Sequence, residues 1–235
     1  MSTALRSRIL IPARNAEDWR LLLADPKLHW RDGYSAKSLA ECWQNAGGLP
    51  DEIAALLRSH PDFSDSAPEL LFAIPEHQTP LPGGVRPSQT DLLAFIAADA
   101  KLLTLGVEGK VDEAFGPTLE EWLQNASDGK RARLRFLCDL LHLTNELPGT
   151  IRYQLLHRAA SAVVEARRFH ISNAVLVIHS FSPTQCWFDD FATWCALFSA
   201  MAKPGQLSRL TQLESTTLYA GWATGTCSPR KAGEL

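Results

Sequence analysis

Between residues 90 and 115 the chain reads TDLLAFIAADAKLLTLGVEGKVDEAF, two apolar runs with charge at their ends. Asp91 opens the first run, and Glu108-Gly109-Lys110 closes the second. If Asp99 and Ala100 form a two-residue turn, Ala98 pairs with Lys101 and Asp91 falls directly opposite Glu108. Opposed residues share a face of a sheet with Cβ atoms roughly 4.5–5.5 Å apart. Lys110, two residues beyond Glu108, projects from the same side. A four-residue loop over 98–101 keeps this register, whereas a three-residue loop breaks it. Two acids opposed at the end of a covered sheet repel each other and lose hydration. A divalent cation relieves both, and hard carboxylate oxygens suit Mg²⁺ or Mn²⁺. A lysine beside them can orient a water and stabilise charge developing in a phosphoryl transition state. That chemistry calls for a phosphodiester.

The register places Leu93, Phe95 and Leu102 on the acids' face, and Leu92, Ile96, Leu103, Leu105 and Val107 on the other. Both faces are apolar, so these are central strands with cover on each side. Three helices are expected before the sheet: 15–24 behind a capping Asn15, 36–46 with Ser38 and Glu41 at capping-box spacing or Ser35 as the cap, and one after Pro50. Residues 69–74, ELLFAI, read as a first strand, and PEHQTPLPGGVRPSQ as irregular chain. After the hairpin, Thr118 caps a helix with two acids in its first turn, and 130–143 and 150–169 follow at helical spacing. Residues 174–180, AVLVIHS, suggest a strand buried on both faces. A helix over 187–201 and an edge strand over 216–222 complete the pattern. The expected class is α/β, a mixed sheet flanked by helices in one domain over 1–235. It comprises a helical N-terminal part (1–60), a core (68–182), a C-terminal helix and edge strand (187–222) and a frayed tail (224–235).

The 235 residues can bury a sizeable core, and 46% hydrophobic with 21% charged residues is ordinary globular composition. The net charge of -3 argues against a wholly basic nucleic-acid coat, though a local basic groove is compatible with it. Five scattered cysteines show no CxxC or Cys/His spacing, which argues against a zinc site and a disulfide framework. The N-terminus lacks a signal-peptide core and no run is long and apolar enough to span a bilayer, so a cytoplasmic protein without membrane partners is expected.

Other motifs carry less. Gly109-Lys110 is not a phosphate loop, because position 104 is Thr and Val111 stands where Ser or Thr is required. Ser180 and Ser182 lie outside any G-x-S-x-G elbow. His179 reads as a core histidine with a hydrogen-bond partner, and His77 as a loop residue that could line a cleft. The basic run Lys130-Arg131-Ala132-Arg133 with Arg135 reads as a solvated helix face or as phosphate contacts.

The acid pair and the EGK triplet resemble the PD-(D/E)XK nuclease-like superfamily, whose core sets an Asp on one hairpin strand and an acid-X-Lys triplet on the next. The resemblance covers about residues 34–182, with Thr90 in place of the superfamily's proline, and points to an uncharacterised bacterial family within it. It implies a restriction-endonuclease-like fold, Asp91 and Glu108 as Mg²⁺ or Mn²⁺ ligands, and Lys110 as the residue positioning the attacking water. Glu41, on the helix before the sheet, is the candidate for a further metal ligand, or else a cap or surface acid. Gln154 matches a glutamine that some relatives carry after the hairpin, beside His157 and Arg158 in a polar stripe. The implied activity is a metal-dependent nuclease, with DNA ahead of RNA as partner. The alternatives are a nuclease-fold protein that binds nucleic acid or protein without cutting, and a plain structural ion pair. Many small nucleases of that fold pair as homodimers; no dimer face is marked in this sequence.

Overall fold

The computed structural model describes residues 13–23, 25–144 and 146–226. Asn15 caps a single helical turn, α1 (Ala16–Trp19), its side chain accepting from the backbone N–H of Asp18, and a 3-10 turn follows at Arg20–Leu22. The helix expected over 15–24 is therefore broken, and Ala24 lies outside the described residues. Pro26 starts a helix rather than stopping one: α2 (Pro26–His29) uses it in the first turn, where its missing N–H costs nothing, with Asp25 as the cap. α3 (Ser35–Asn45) and α4 (Asp51–Arg58) follow. Ser38 is not a cap; it lies buried inside α3 and its hydroxyl donates to the Tyr34 carbonyl.

Six strands form one mixed sheet in the order β1-β2-β3-β4-β6-β5. They are β1 (Pro68–Thr79), β2 (Ser88–Ala98), β3 (Lys101–Lys110), β4 (Asn173–Ser180), β5 (Leu207–Leu213) and β6 (Thr216–Thr224). The first three are an antiparallel meander, and β4 lies parallel to both β3 and β6. The crossover from β3 to β4 carries α5 (Leu119–Leu123), α6 (Asp128–Leu141) and α7 (Tyr153–Arg168). α8 (Phe188–Ala196) ends short of the expected 201, with Ser199 in the left-handed region.

The hairpin has the expected register. Ala98 opposes Lys101, Leu92 opposes Val107, and Asp99 turns the chain at φ 52. Leu93 and Phe95 pack with the α7 layer, while Leu92, Ile96, Leu103, Leu105 and Val107 pack against α3 and α4. Leu102 pairs with Ala97 and so keeps the face of Leu93 and Phe95, but next to the turn it stands 46% exposed. Two strand expectations need correction. β1 continues through Pro75 to Thr79, because it is an edge strand where the missing proline N–H breaks no ladder. β6 is interior, between β4 and β5, and the edge is β5, whose LSRLTQL lacks an apolar run to announce it. The expected frayed tail lies mostly outside the described residues, which end at 226. No helix among the described residues is long and apolar enough to cross a membrane.

Candidate functional site

The strand ends β1, β2 and β3 and the start of α7 enclose a cavity of about 360 Å³. Asp91, Glu108, Lys110, Gln154, Arg158 and Glu76 are among its lining residues. Glu108 is the hub. Its Oε1 accepts from the Lys110 ammonium at 2.8 Å and from the Gln154 amide at 2.6 Å, and its Oε2 accepts from Arg158 Nε at 2.6 Å. Burial pushes the Glu108 carboxyl up, but Arg158 and Lys110 outweigh it and hold the group down at about 2. The two cations are themselves buried, with side chains 9% and 6% exposed, so this is a dry charge cluster.

Asp91 has a different environment. Its Oδ2 accepts from the Gly109 backbone N–H at 2.9 Å, and its Oδ1 stands 3.8 Å from Arg158. Burial and the Glu108 charge push its carboxyl up to about 7. Gly109 itself is packed closely on its other side: a Cβ there would meet the Ser35 carbonyl at 3.3 Å and Leu39 at 3.4 Å. The middle position of the triplet thus holds the helix α3 against the strand that carries the acids.

Glu76 is the residue the sequence reading missed. It sits in the β1 extension read as irregular chain, and the β1–β2 register carries it opposite Asp91, between the pairs Pro75–Leu92 and His77–Thr90. Its backbone is left-handed, φ 52, a conformation costly for a non-glycine residue. Gln89 donates to its Oε2 at 2.7 Å. Burial first, then the Asp91 charge, push its carboxyl up to about 8. The available signal was the acid just after Pro75, which edge-strand placement brings beside Asp91.

Glu41 does not join this cavity. It lies in a second cavity of about 480 Å³ with Cys42 and Glu52, within 3.8 Å of Lys37. The reason is helical phase: α3 turns Ser35 and Ala36 toward the acids, and Glu41 falls on another face. Beside it, single ligand atoms of Cys42, Glu52 and His179 lie within 4.8 Å of one another. This donor set does not fit a metal. Trp43 Nε1, which can only donate, points at His179 Nδ1 from 3.2 Å, so the ring proton sits on Nε2 and goes to Glu52 at 3.0 Å. The Cys42 thiol donates to the same Glu52 oxygen at 3.3 Å, and burial together with Glu52 pushes that thiol up, away from the thiolate a metal needs. The cluster ties α3, α4 and β4 together.

Burial holds His179 below its ordinary range. A depressed folded pKa means that its contribution is complete above about pH 6.5, the unfolded value, and drains as pH falls below it. Urea midpoints at pH 7 and pH 5 are expected to differ less in His179→Gln than in the wild-type protein. Equal acid sensitivity of the two would rule out this source.

His77, Arg131 and Arg133 are engaged in internal contacts. His77 bonds buried Glu165 at 3.0 Å and joins β1 to α7. In the basic run, Arg133 is buried and donates to the carbonyls of Leu81 and Arg86 at 2.8 and 3.1 Å, while Arg131 donates to Ala126. Asp189 and Asp190 stand in the first turn of α8.

The acid cavity fits a small divalent cation on two observations. Four carboxylates line it; Glu113 accepts from the backbone N–H groups of Ser35 and Val111, while Glu76, Asp91 and Glu108 face two buried cations, Lys110 and Arg158, and the surplus appears as the upward shifts of Asp91 and Glu76. Gln154, which lines the cavity, keeps a buried Oε1 with no hydrogen-bond partner among the described residues. All these donors are hard oxygens. No curated protein and no solved structure matches the chain. A family model described as a domain of unknown function (DUF6946) spans residues 12–227, and the chain belongs to that family.

Proposed function

We propose that the acid cavity is the active site of a divalent-metal-dependent nuclease with a restriction-endonuclease-like core. The observation that carries this reading is the convergence of Asp91, Glu108, Lys110 and Gln154, joined by Glu76, in one cavity with more carboxylates than cations. The element order also supports it: helices, an antiparallel meander bearing the acids, a helical crossover, then a parallel strand. Asp91, Glu108 and Glu76 would hold Mg²⁺ or Mn²⁺. When bound, that ion supplies Lewis acidity and lowers the pKa of water. The chain's own residues do the rest. Lys110 spends one N–H on Glu108 and has others to orient the attacking water beside the scissile phosphate. Gln154 donates to Glu108 and orients that carboxylate. Arg158, buried and shared between Glu108 and Asp91, fixes the two acids in register rather than touching substrate.

Arg158 also motivates a second reading. Its guanidinium already bridges the two acids, where a cation would be needed. A protein that binds nucleic acid or a protein partner without cutting would keep such an internal bridge.

Incubation with plasmid, single-stranded DNA and RNA under Mg²⁺, Mn²⁺ or EDTA separates the two. Cutting is expected with metal, absent in EDTA, and at least about 100-fold slower in Lys110→Ala, in line with loss of one positioned group. No cutting of any substrate under either metal would leave the non-cutting reading standing.

A further inference from the structure

A groove of about 510 Å³ lies beyond the acid cavity, lined by the loop over 83–88, the start of α6 and the first two turns of α7. A smaller cavity of about 330 Å³ shares Lys110, Gln154 and Arg158 with the acid cavity, and Tyr153 and His157 with the groove. One face of α7 therefore runs from the acids into the groove, and a chain-like ligand could follow it.

The groove's chemistry is specific. Its wall is aromatic: Trp122 stacks on Tyr153 with ring centroids 3.9 Å apart and an interplanar angle of 11°. Three cations line it, of which buried Arg133 is committed to the loop carbonyls and two face outward. Arg86 is exposed on the loop, and Lys130 lies 5.3 Å over the Trp122 ring with one N–H on the Trp122 carbonyl and two others available. The loop bearing Arg86 is held in place from below, because buried Arg133 donates to the carbonyls of Leu81, Pro82, Gly84 and Arg86. The wall is pre-organised, which lowers the ordering cost of binding.

His157 stands where the groove meets the smaller cavity. Ser88 Oγ accepts from Arg158 at 3.3 Å and lies 2.8 Å from His157 Nδ1 and 3.5 Å from the His157 carbonyl, so the ring is held in place at the first turns of α7.

We propose that this groove is a subsite for a single-stranded segment of nucleic acid leading to or from the acid cavity. Arg86 and Lys130 take phosphates, the Trp122–Tyr153 pair offers aromatic surface to an unstacked base or sugar, and His157 lines the passage toward the acids. A duplex keeps its bases stacked inside and offers phosphates only at its rim. Aromatic surface within a groove and cations at its lip suit a splayed strand instead. The subsite rests on the reading of the acid cavity as a nucleic-acid site, but its test does not require cutting.

The test is fluorescence anisotropy of labelled dT12, rU12 and a 12-base-pair duplex in EDTA, with circular dichroism to confirm folding. The wild-type protein is expected to bind a single strand more tightly than the duplex. Arg86→Ala/Lys130→Ala should weaken single-strand binding about tenfold or more and reduce the log–log salt slope by about 1.4, the value for two phosphates. Tyr153→Leu should weaken it about fivefold or more. Arg135→Ala, on the same helix outside the groove lining, should bind as wild type. Absence of wild-type binding, preference for duplex, or equal losses in Arg135→Ala and the groove variant would overturn the subsite. Groove-dependent binding without cutting under any metal would overturn only the catalytic reading.

Discussion

Replacing Glu108 with alanine is expected to lower the unfolding free energy by about 3–5 kcal/mol, as for removal of one partner from a buried charge cluster. Glu108 is 2% exposed and accepts from Lys110, Arg158 and Gln154 at once. Its removal strands two buried cations and an amide donor, and their desolvation is no longer offset. Exposed ion pairs seldom contribute more than about 1 kcal/mol, so the size of the effect is diagnostic. The urea midpoint of Glu108→Ala reads it directly. Adding Lys110→Met to that variant should recover part of the loss, since one stranded charge disappears. A loss below about 1 kcal/mol would mean that water already reaches the cluster.

Asp91 and Glu76 should behave oppositely. Their folded carboxyls are pushed up, to about 7 and about 8, from ordinary values of 3.8 and 4.5. A raised folded pKa means that the folded state holds protons the unfolded chain has released. The associated stability is present below about pH 4 and is lost as pH rises through 7 and 8. In EDTA at pH 8 to 9, Asp91→Asn/Glu76→Gln is therefore expected to be more stable than wild type and to show a flatter pH dependence. Asn at 91 still accepts from the Gly109 N–H, so the hydrogen bond survives. Mn²⁺ should reverse the order. At a hundred times its dissociation constant it stabilises a protein that binds it by about 2.7 kcal/mol, in wild type and not in the double variant. An unchanged wild-type melting temperature with Mn²⁺, or the same rise in both proteins, would remove the cation from this cavity.

Much of this arrangement is legible before any folding. The alternation of 92–107 and the two-residue turn at Asp99-Ala100 determine register, because a slip of one residue would turn every apolar side chain to the wrong face. The α7 stripe through Leu155, Ala159, Ala162, Val163 and Ala166, with Ile151 just ahead of the helix, is buried as its spacing requires. The polar stripe beside it, Gln154 and Arg158, is just as regular, but spacing cannot say what it faces. Only packing of α7 across β3 brings both onto Glu108.

Glu41 and Glu76 mark the limit from opposite sides. Glu41 has a suitable type and helix, yet helical phase delivers it to a different cavity. Glu76 sits after a proline in a stretch with no strand signal, yet edge pairing with β2 brings it against Asp91. Local patterning determined the hairpin, the opposition of its acids and the triplet that ends it, since nearest-neighbour geometry along a strand decides those. Which distant side chains complete the charge cluster depended on tertiary structure alone. That choice is made by the docking of whole elements, through contacts between residues far apart in the chain.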